Sequence, residues 1–242
     1  MNTEYQDVII VGAGLSGIGA AYHIAKNCPE KSLAILESRE SMGGTWDLFR
    51  YPGIRSDSDM FTLGYNFKPW RGADAIANGA SILNYIKEAA YIKVAASKHS
   101  LADKIRYQHK VVSMSWCSKN AKWTLQLLVN GKPRTMSCNF LLSCTGYYNY
   151  DKGFTPNFKG KGDFKGQFIH PQKWPEDLDY TDKKIVVIGS GATAVTLVPE
   201  LAKKSKHVTM LQRSPSYIAR VPKQDKTAKK LRKILPEKWV YR

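Results

Sequence analysis

Two short apolar runs, each leading into a glycine-rich turn and then a helical pattern, constrain this chain more than any other feature. The first is Asp7-Val8-Ile9-Ile10-Val11, followed by Gly12 to Gly17 and an Ala-rich stretch from Ile18 to Lys26. The second is Lys184-Ile185-Val186-Val187-Ile188, followed by Gly189-Ser190-Gly191-Ala192-Thr193-Ala194 and a helical pattern to about Lys203. Consecutive apolar residues in so short a run suit a strand of a parallel sheet. Each unit closes on a further apolar run, Leu33 to Leu36 in the first and His207 to Leu211 in the second. The predicted fold class is therefore α/β, with two Rossmann-like dinucleotide-binding units.

The glycine spacing assigns roles within each turn. In G-x-G-x-x-G, Gly12 permits the tight turn and Gly14 lets the backbone approach a pyrophosphate. Gly17 lets helix and strand pack closely, so that phosphates meet the helix N-terminus, where Ser16 also stands. Glu37, at the end of the second run, offers a carboxylate that accepts hydrogen bonds from a ribose hydroxyl and repels a 2′-phosphate. The second turn carries the permitted alanine at its third position, Ala194, with Ser190, Ala192 and Thr193 completing it. After its closing strand stands Gln212-Arg213-Ser214. Arg213 can pair bidentately with a 2′-phosphate and Ser214 can donate a hydroxyl to it. The first site is thus predicted to take an unphosphorylated ribose and the second NADP(H).

Between these units, residues 41–72 are rich in Gly, Pro, Asp and Ser and read as a long functional loop region. Ser81 to Ala96 reads as helix. Lys110 to Trp116, Lys122 to Val129 and Thr135 to Ser143 read as strands, the last two joined by an Asn130-Gly131 hairpin turn. Together they suggest a small β-meander inserted in the first unit. The predicted organisation is a first nucleotide-binding domain over 1–148, a connector over 149–183, and the start of a second over 184–242.

The net charge of +17 is dispersed until the stretch from Lys223 to Arg242, which reads as a basic helix broken at Pro236. A solvated face is one reading of that stretch and peripheral contact with a membrane surface or anionic partner the other. No helix-turn-helix, RNP or zinc-finger pattern accompanies the charge, which argues against nucleic acid. Cys28, Cys117, Cys138 and Cys144 form no C-x-x-C pair, so they read as reduced thiols of a cytoplasmic protein without a metal site. The polar start and the lack of a long apolar run argue against a signal peptide or membrane span.

A further pattern lies just before the second turn. Phe164, Gly166, His170, Trp174 and Pro175 fit F-x-G-x-x-x-H-x-x-x-W-P, which resembles the fingerprint of Baeyer–Villiger monooxygenases. Related flavin-containing monooxygenases usually carry Tyr or Phe where Trp174 stands. Many family members have Thr after the histidine, and Pro171 departs from that. Gly43-Gly44-Thr45-Trp46, the stretch Tyr51 to Asp57, and Leu142 to Tyr148 are similar to segments of the same family. The resemblance implies that the first unit binds FAD, with Gly44, Thr45, Trp46 and Asp47 lining it and Arg55 and Val111 among the cofactor-binding residues. It implies that the second unit binds NADPH. Asp57 matches the active-site aspartate beside the flavin, and His170 is a motif residue linking domains rather than a base.

The implied chemistry is hydride transfer from NADPH to FAD and reaction with O2 to a C4a-peroxyflavin. That species inserts oxygen into a ketone or, protonated, oxidises the sulfur of a thioether; the protein supplies position, charge and exclusion of water. Two alternatives stay open: N- or S-oxygenation of the flavin-containing monooxygenase kind, which Trp174 opposes, and an inactive nucleotide-binding remnant. The second unit reads as incomplete, and no residue matches the arginine that stabilises the peroxyflavin in the family. The chain is therefore expected to be a fragment that is inactive alone.

Overall fold

The computed structural model describes residues 3–94 and 100–235. In chain order the elements are β1 (Glu4–Val11), α1 (Leu15–Asn27), β2 (Leu33–Leu36), α2 (Thr45–Leu48), α3 (Met60–Leu63), α4 (Gly79–Ala90), β3 (Ile105–Arg106), β4 (His109–Cys117), β5 (Lys122–Val129), β6 (Lys132–Ser143), β7 (Lys184–Ile188), α5 (Ala192–Leu201), β8 (His207–Leu211) and α6 (Lys226–Ile234). Both predicted βαβ units are present. The 41–72 loop region contains two one-turn helices, α2 and α3. Helix α1 begins at Leu15, inside the predicted turn, because Gly14 takes the extended backbone of an N-cap (φ −84°, ψ −168°).

By packing, the chain forms two compact units. One comprises the residues up to Asp47 together with Leu83–Tyr148; the other comprises Leu48–Ile82 together with the chain from Asn149. The packing units are therefore not contiguous in sequence, as the stretches 1–148, 149–183 and 184–242 are.

The first unit is built on one six-stranded sheet of order β3-β2-β1-β6-β5-β4. The strands from β3 to β6 in that order are parallel, and β4, β5 and β6 are antiparallel. The expected meander is β4-β5-β6, and it shares its last strand with the parallel half of the sheet. Strand β6 is long enough to pair with β5 through Lys132–Cys138 and with β1 through Met136–Ser143. Asn130 and Gly131 take positive φ (49° and 76°) and join Val129 directly to Lys132, as a type I′ hairpin requires. Pro133 opposes Leu128, one pair beyond the turn, and β1 does not reach it. Its missing N–H therefore costs no ladder bond.

Residues Val8–Val11 and all of β2 are buried, as their continuous apolar sequence implies. One sheet face gathers Ile9, Val11, Ala34, Leu36, Leu125, Leu127, Met136 and Cys138 into a core cluster. Burial pushes the Cys138 thiol up to about 11, so it sits there as a small protonated apolar group.

In the second unit, β7 and β8 pair in parallel, Ile185 opposite Val208 and Ile188 opposite Leu211. Leu197 and Leu201 of α5 pack with Phe49 and Tyr51, and Ile185, Val187 and Val208 join that cluster. Alternate residues face outward: Val186, Ile188 and Leu211 are 60%, 52% and 54% exposed. The predicted stretch Lys223–Arg242 contributes α6, whose N-cap is Asp225. Its break at Pro236, with Lys238 and Arg242, lies outside the described residues, as do Ala95 and Ala96 of the predicted 81–96 helix. No helix among the described residues is long and apolar enough to cross a membrane.

The entry to β1 and β2 is closed by side chains. The Asp7 carboxylate accepts from the Ser32 amide and hydroxyl at 2.8 and 2.7 Å, and the Asp7 amide donates to Ser32 Oγ at 2.8 Å. These bonds hold the Asp7 carboxyl down at about 2. A folded-state value below the unfolded one stabilises the protein above the usual carboxylate range, and that contribution is lost as pH falls through about 2. Ser32→Ala is expected to raise the Asp7 titration midpoint towards the ordinary aspartate range, read by NMR of the carboxyl carbon in an acid titration.

Candidate functional site

The first glycine-rich turn is held by backbone geometry that only some of its glycines serve. Gly12 adopts φ +105°, and a Cβ there would stand 2.5 Å from the Cys144 carbonyl oxygen. A Cβ on Gly17 would stand 1.9 Å from the Gly12 carbonyl oxygen. Both are required by the fold itself. Gly14 differs: its φ is negative and a Cβ would meet Gly44 Cα at an ordinary 3.7 Å. Among the described residues nothing demands glycine at that position. Gly14 and Gly44 instead form a bare backbone wall at the α1 N-terminus, where no side chain caps the helix. The gap there suits a group that a side chain would displace, at the N-terminus of a helix whose dipole favours an anion.

Glu37 and the 43–47 loop are tied to this turn through Ala13. The Ala13 N–H donates to Glu37 Oε2 at 2.9 Å, and the Ala13 carbonyl accepts from the Gly43 N–H at 2.9 Å. Glu37 is 4% exposed, and its other oxygen accepts from the Arg39 N–H at 3.0 Å. Arg39 completes the assembly. Its guanidinium donates to the Gly44 carbonyl at 3.3 Å and to Asp47 Oδ2 at 2.7 Å, and Ser41 donates to the same carboxylate. Asp47 is buried, with Thr45 and Trp46 half-buried beside it. The turn residues Gly12, Gly14 and Gly17, with Glu37 and Gly44–Asp47, are therefore brought together in one unit, and Ser16 lies exposed on the first turn of α1. Arg39 was missed by sequence reasoning, because its partner Asp47 is fixed only by the folded loop. Val111 sits on β4 at a bulge, its side chain packed against the core cluster.

The second turn repeats two backbone bonds of the first. Gly12 N–H donates to the Leu36 carbonyl and Gly189 N–H to the Leu211 carbonyl, both at 2.8 Å. Ile18 N–H donates to Gly14 and Val195 N–H to Gly191, both at 3.0 Å. Gly191 is an extended N-cap without a side-chain bond, like Gly14. Ala192 and Thr193 open α5, and Ala194 is buried where Gly17 stands in the first unit. In this register Gln212 is the counterpart of Glu37, and Arg213 and Ser214 follow it, exposed. The Ser190 hydroxyl lies 2.8 Å from that of Ser216, drawing the segment after β8 to the turn.

The connector motif has its own local order. The Phe164 ring lies against Gly166, where a Cβ would come within 2.5 Å of it. His170 Nδ1 accepts from the Gln172 N–H at 3.2 Å and so caps the short 3-10 turn Pro171–Lys173. Pro171 sits at the first position of that turn, where its missing N–H costs nothing. Trp174 packs against the second unit's core and meets Tyr180 edge-on, ring centroids 6.3 Å apart.

Asp57 lies in the second unit on an exposed loop, its carboxylate 4.0 Å from Arg55 Nε. The turn-stabilising role in that loop belongs to Asp59, which caps α3 by accepting from the Thr62 N–H and hydroxyl at 3.0 and 2.8 Å. Asp57 lines an open cleft of about 810 Å³ together with Ala75, Ile76, Val221 and Pro222. Among the described residues no group of three His, Cys, Asp or Glu is placed to hold a metal.

Comparison with known proteins agrees with this duplicated architecture. The sequence profile of the flavin-binding monooxygenase-like family matches residues 77–229, and that of the Thi4 family matches residues 1–61. The chain is 57% identical over 240 residues to the FAD-containing monooxygenase EthA of Mycobacterium tuberculosis, covering 99% of this chain and 48% of that protein. It is 55% identical over 238 residues to a probable FAD-binding monooxygenase AlmA of Acinetobacter, covering 98% and 47%. An oxidised steroid monooxygenase bound to NADP superimposes with a TM-score of 0.77 at 27% identity, covering 98% of this chain and 43% of that one. The chain spans about half the length of the curated relatives it matches. With the family profile covering more than half of its residues, the chain belongs to the flavin-binding monooxygenase-like family.

Proposed function

We propose that residues 1–242 form the FAD-binding wall and the opening part of the NADPH-binding wall of a monooxygenase that inserts one oxygen of O2 into ketones or oxidises thioether sulfur. The observation that carries this reading is the pair of geometrically equivalent glycine turns followed by unlike residues, Glu37 in one and Gln212-Arg213-Ser214 in the other. Bound FAD would supply the redox and oxygen-activating chemistry. The chain's own residues bind and orient. The α1 N-terminus and the Gly14–Gly44 wall receive the pyrophosphate, and Glu37 would accept from a ribose hydroxyl. Arg39 and Asp47 fix the 43–47 loop that would line the flavin. The second turn receives the NADPH pyrophosphate, with Arg213 and Ser214 at its 2′-phosphate. Asp57 would be the active-site carboxylate, with Arg55 beside it. Trp174 favours the ketone-oxidising branch over N-oxygenation, and relatives named as FAD-containing monooxygenases support the class.

Gly14→Val is expected to abolish co-purification of FAD while leaving the unfolding midpoint within a few degrees of wild type. Gly12→Val is expected to cost several kcal/mol of stability, because it combines positive φ with overpacking. Flavin absorbance retained by a folded Gly14→Val protein would remove Gly14 from the site.

Arg213→Ala is expected to weaken NADPH binding by roughly 1.5–3 kcal/mol, the size of a hydrogen bond to a charged group, and to leave NADH nearly unaffected. The ratio of kcat/KM for the two nucleotides reads this directly.

Residues 1–242 expressed alone with FAD, NADPH and a simple ketone or thioether are expected to give no oxygenated product by mass spectrometry. The outer face of β7–β8 is open to solvent, and the relatives are about twice as long.

A further inference from the structure

The basic stretch near the end of the described chain is not simply a solvated face. Lys223 to Arg232 grips the loop of residues 61–76 at several points within the second unit. The Lys223 carbonyl accepts from the Ala75 and Ile76 N–H groups at 2.8 and 3.2 Å. Its ammonium pairs with Asp74 at 2.8 Å, and Gln224 donates to the same carboxylate at 3.2 Å. One helical stretch further on, Arg232 donates to the carbonyls of Trp70 and Gly72 at 2.7 and 3.3 Å. Its guanidinium lies over the Phe61 ring, 4.6 Å from the centroid.

These grips lead by backbone bonds to Asp57. The Ser56 N–H donates to the Ala77 carbonyl at 3.0 Å and the Met60 N–H to the Ala75 carbonyl at 2.7 Å. The short loop carrying Asp57 is therefore clamped on both sides by residues 75–77. Those residues are held in turn by Lys223, and Phe61 of α3 is covered by Arg232. Neutral, mobile loop residues would leave this clamp free to shift. A charge-assisted bond at Asp74 and a two-carbonyl guanidinium bridge oppose that.

We propose that Lys223–Arg232 is a positioning strap for Asp57, with Arg232 and the Asp74–Lys223 pair as its positioning residues. This rests on the reading of Asp57 as an active-site carboxylate. The strap would hold the carboxylate where the reaction needs it without touching substrate or cofactor.

The test uses Arg232→Met, Asp74→Asn, Arg232→Lys and Asp57→Asn in the complete protein. Two quantities are read: hydrogen exchange at the Ala75 and Ile76 amides, and oxygenated product formed per NADPH consumed. Arg232→Met and Asp74→Asn are expected to speed exchange at both amides by about tenfold or more, the order expected for one lost charge-assisted bond, with β1 amides unchanged. Both are expected to lower product per NADPH in the direction that Asp57→Asn does, with Arg232→Lys recovering part of the loss. Unchanged exchange in both strap variants overturns the strap. Faster exchange with an undisturbed product ratio, where Asp57→Asn lowers it, overturns the positioning role alone. A product ratio untouched by Asp57→Asn overturns the active-site reading of Asp57, and the positioning role with it. Should Arg232→Met fail to fold, the near-isosteric Asp74→Asn decides the outcome.

Discussion

The backbone of Ala13 is the point on which the surface around the first glycine turn depends. Its N–H is held by a buried carboxylate and its carbonyl by the Gly43 amide, so one residue ties the glycine turn, the end of β2 and the 43–47 loop together. A buried carboxylate is costly unless it is hydrogen-bonded. Glu37 meets that condition with two backbone amides, and the same bonds orient it at the mouth of the turn. Arg39 extends the arrangement by carrying positive charge to Asp47, the second buried carboxylate of the unit. The cradle is thus pre-formed by the chain, before any cofactor is considered.

The second unit shows what happens when the same backbone is reused with different chemistry after the strand. Two equivalent turn bonds match in length, and both helices open on an extended glycine N-cap. On the proposed reading, discrimination between nucleotides falls to the residues after β2 and β8. A carboxylate clamped inward in one and an exposed arginine with two serines nearby in the other are opposite electrostatic environments for a 2′-phosphate.

The connector motif divides into two physical tasks. Trp174 belongs to a packed core, where a large aromatic contributes through buried area and an edge-on partner. His170 spends its Nδ1 on capping a turn that begins with Pro171. The departure from Thr at that position is therefore absorbed by local geometry, since proline is well tolerated where no amide is needed. In the same way Asp59, not Asp57, carries the structural burden of the 56–63 loop, which leaves the Asp57 carboxylate outside the cap.

Apolar runs, glycine spacing and the Asn130-Gly131 turn determined by themselves that this chain makes two βαβ units and a hairpin, because strand burial, tight turns and positive φ are local demands that few residue types meet. The charge contrast between Glu37 and Arg213 was legible for the same reason: it lies at a set distance from each turn. Only the tertiary structure decided that β6 belongs to both sheet halves and that residues 48–82 pack with the chain beyond Asn149. It alone showed that Arg39 meets Asp47 and that Arg232 meets the carbonyls of Trp70 and Gly72. Those are pairings between segments with no shared period or spacing. Their partners are selected by which backbone groups the folded chain leaves within reach, and that is a property of packing rather than of any one stretch of sequence.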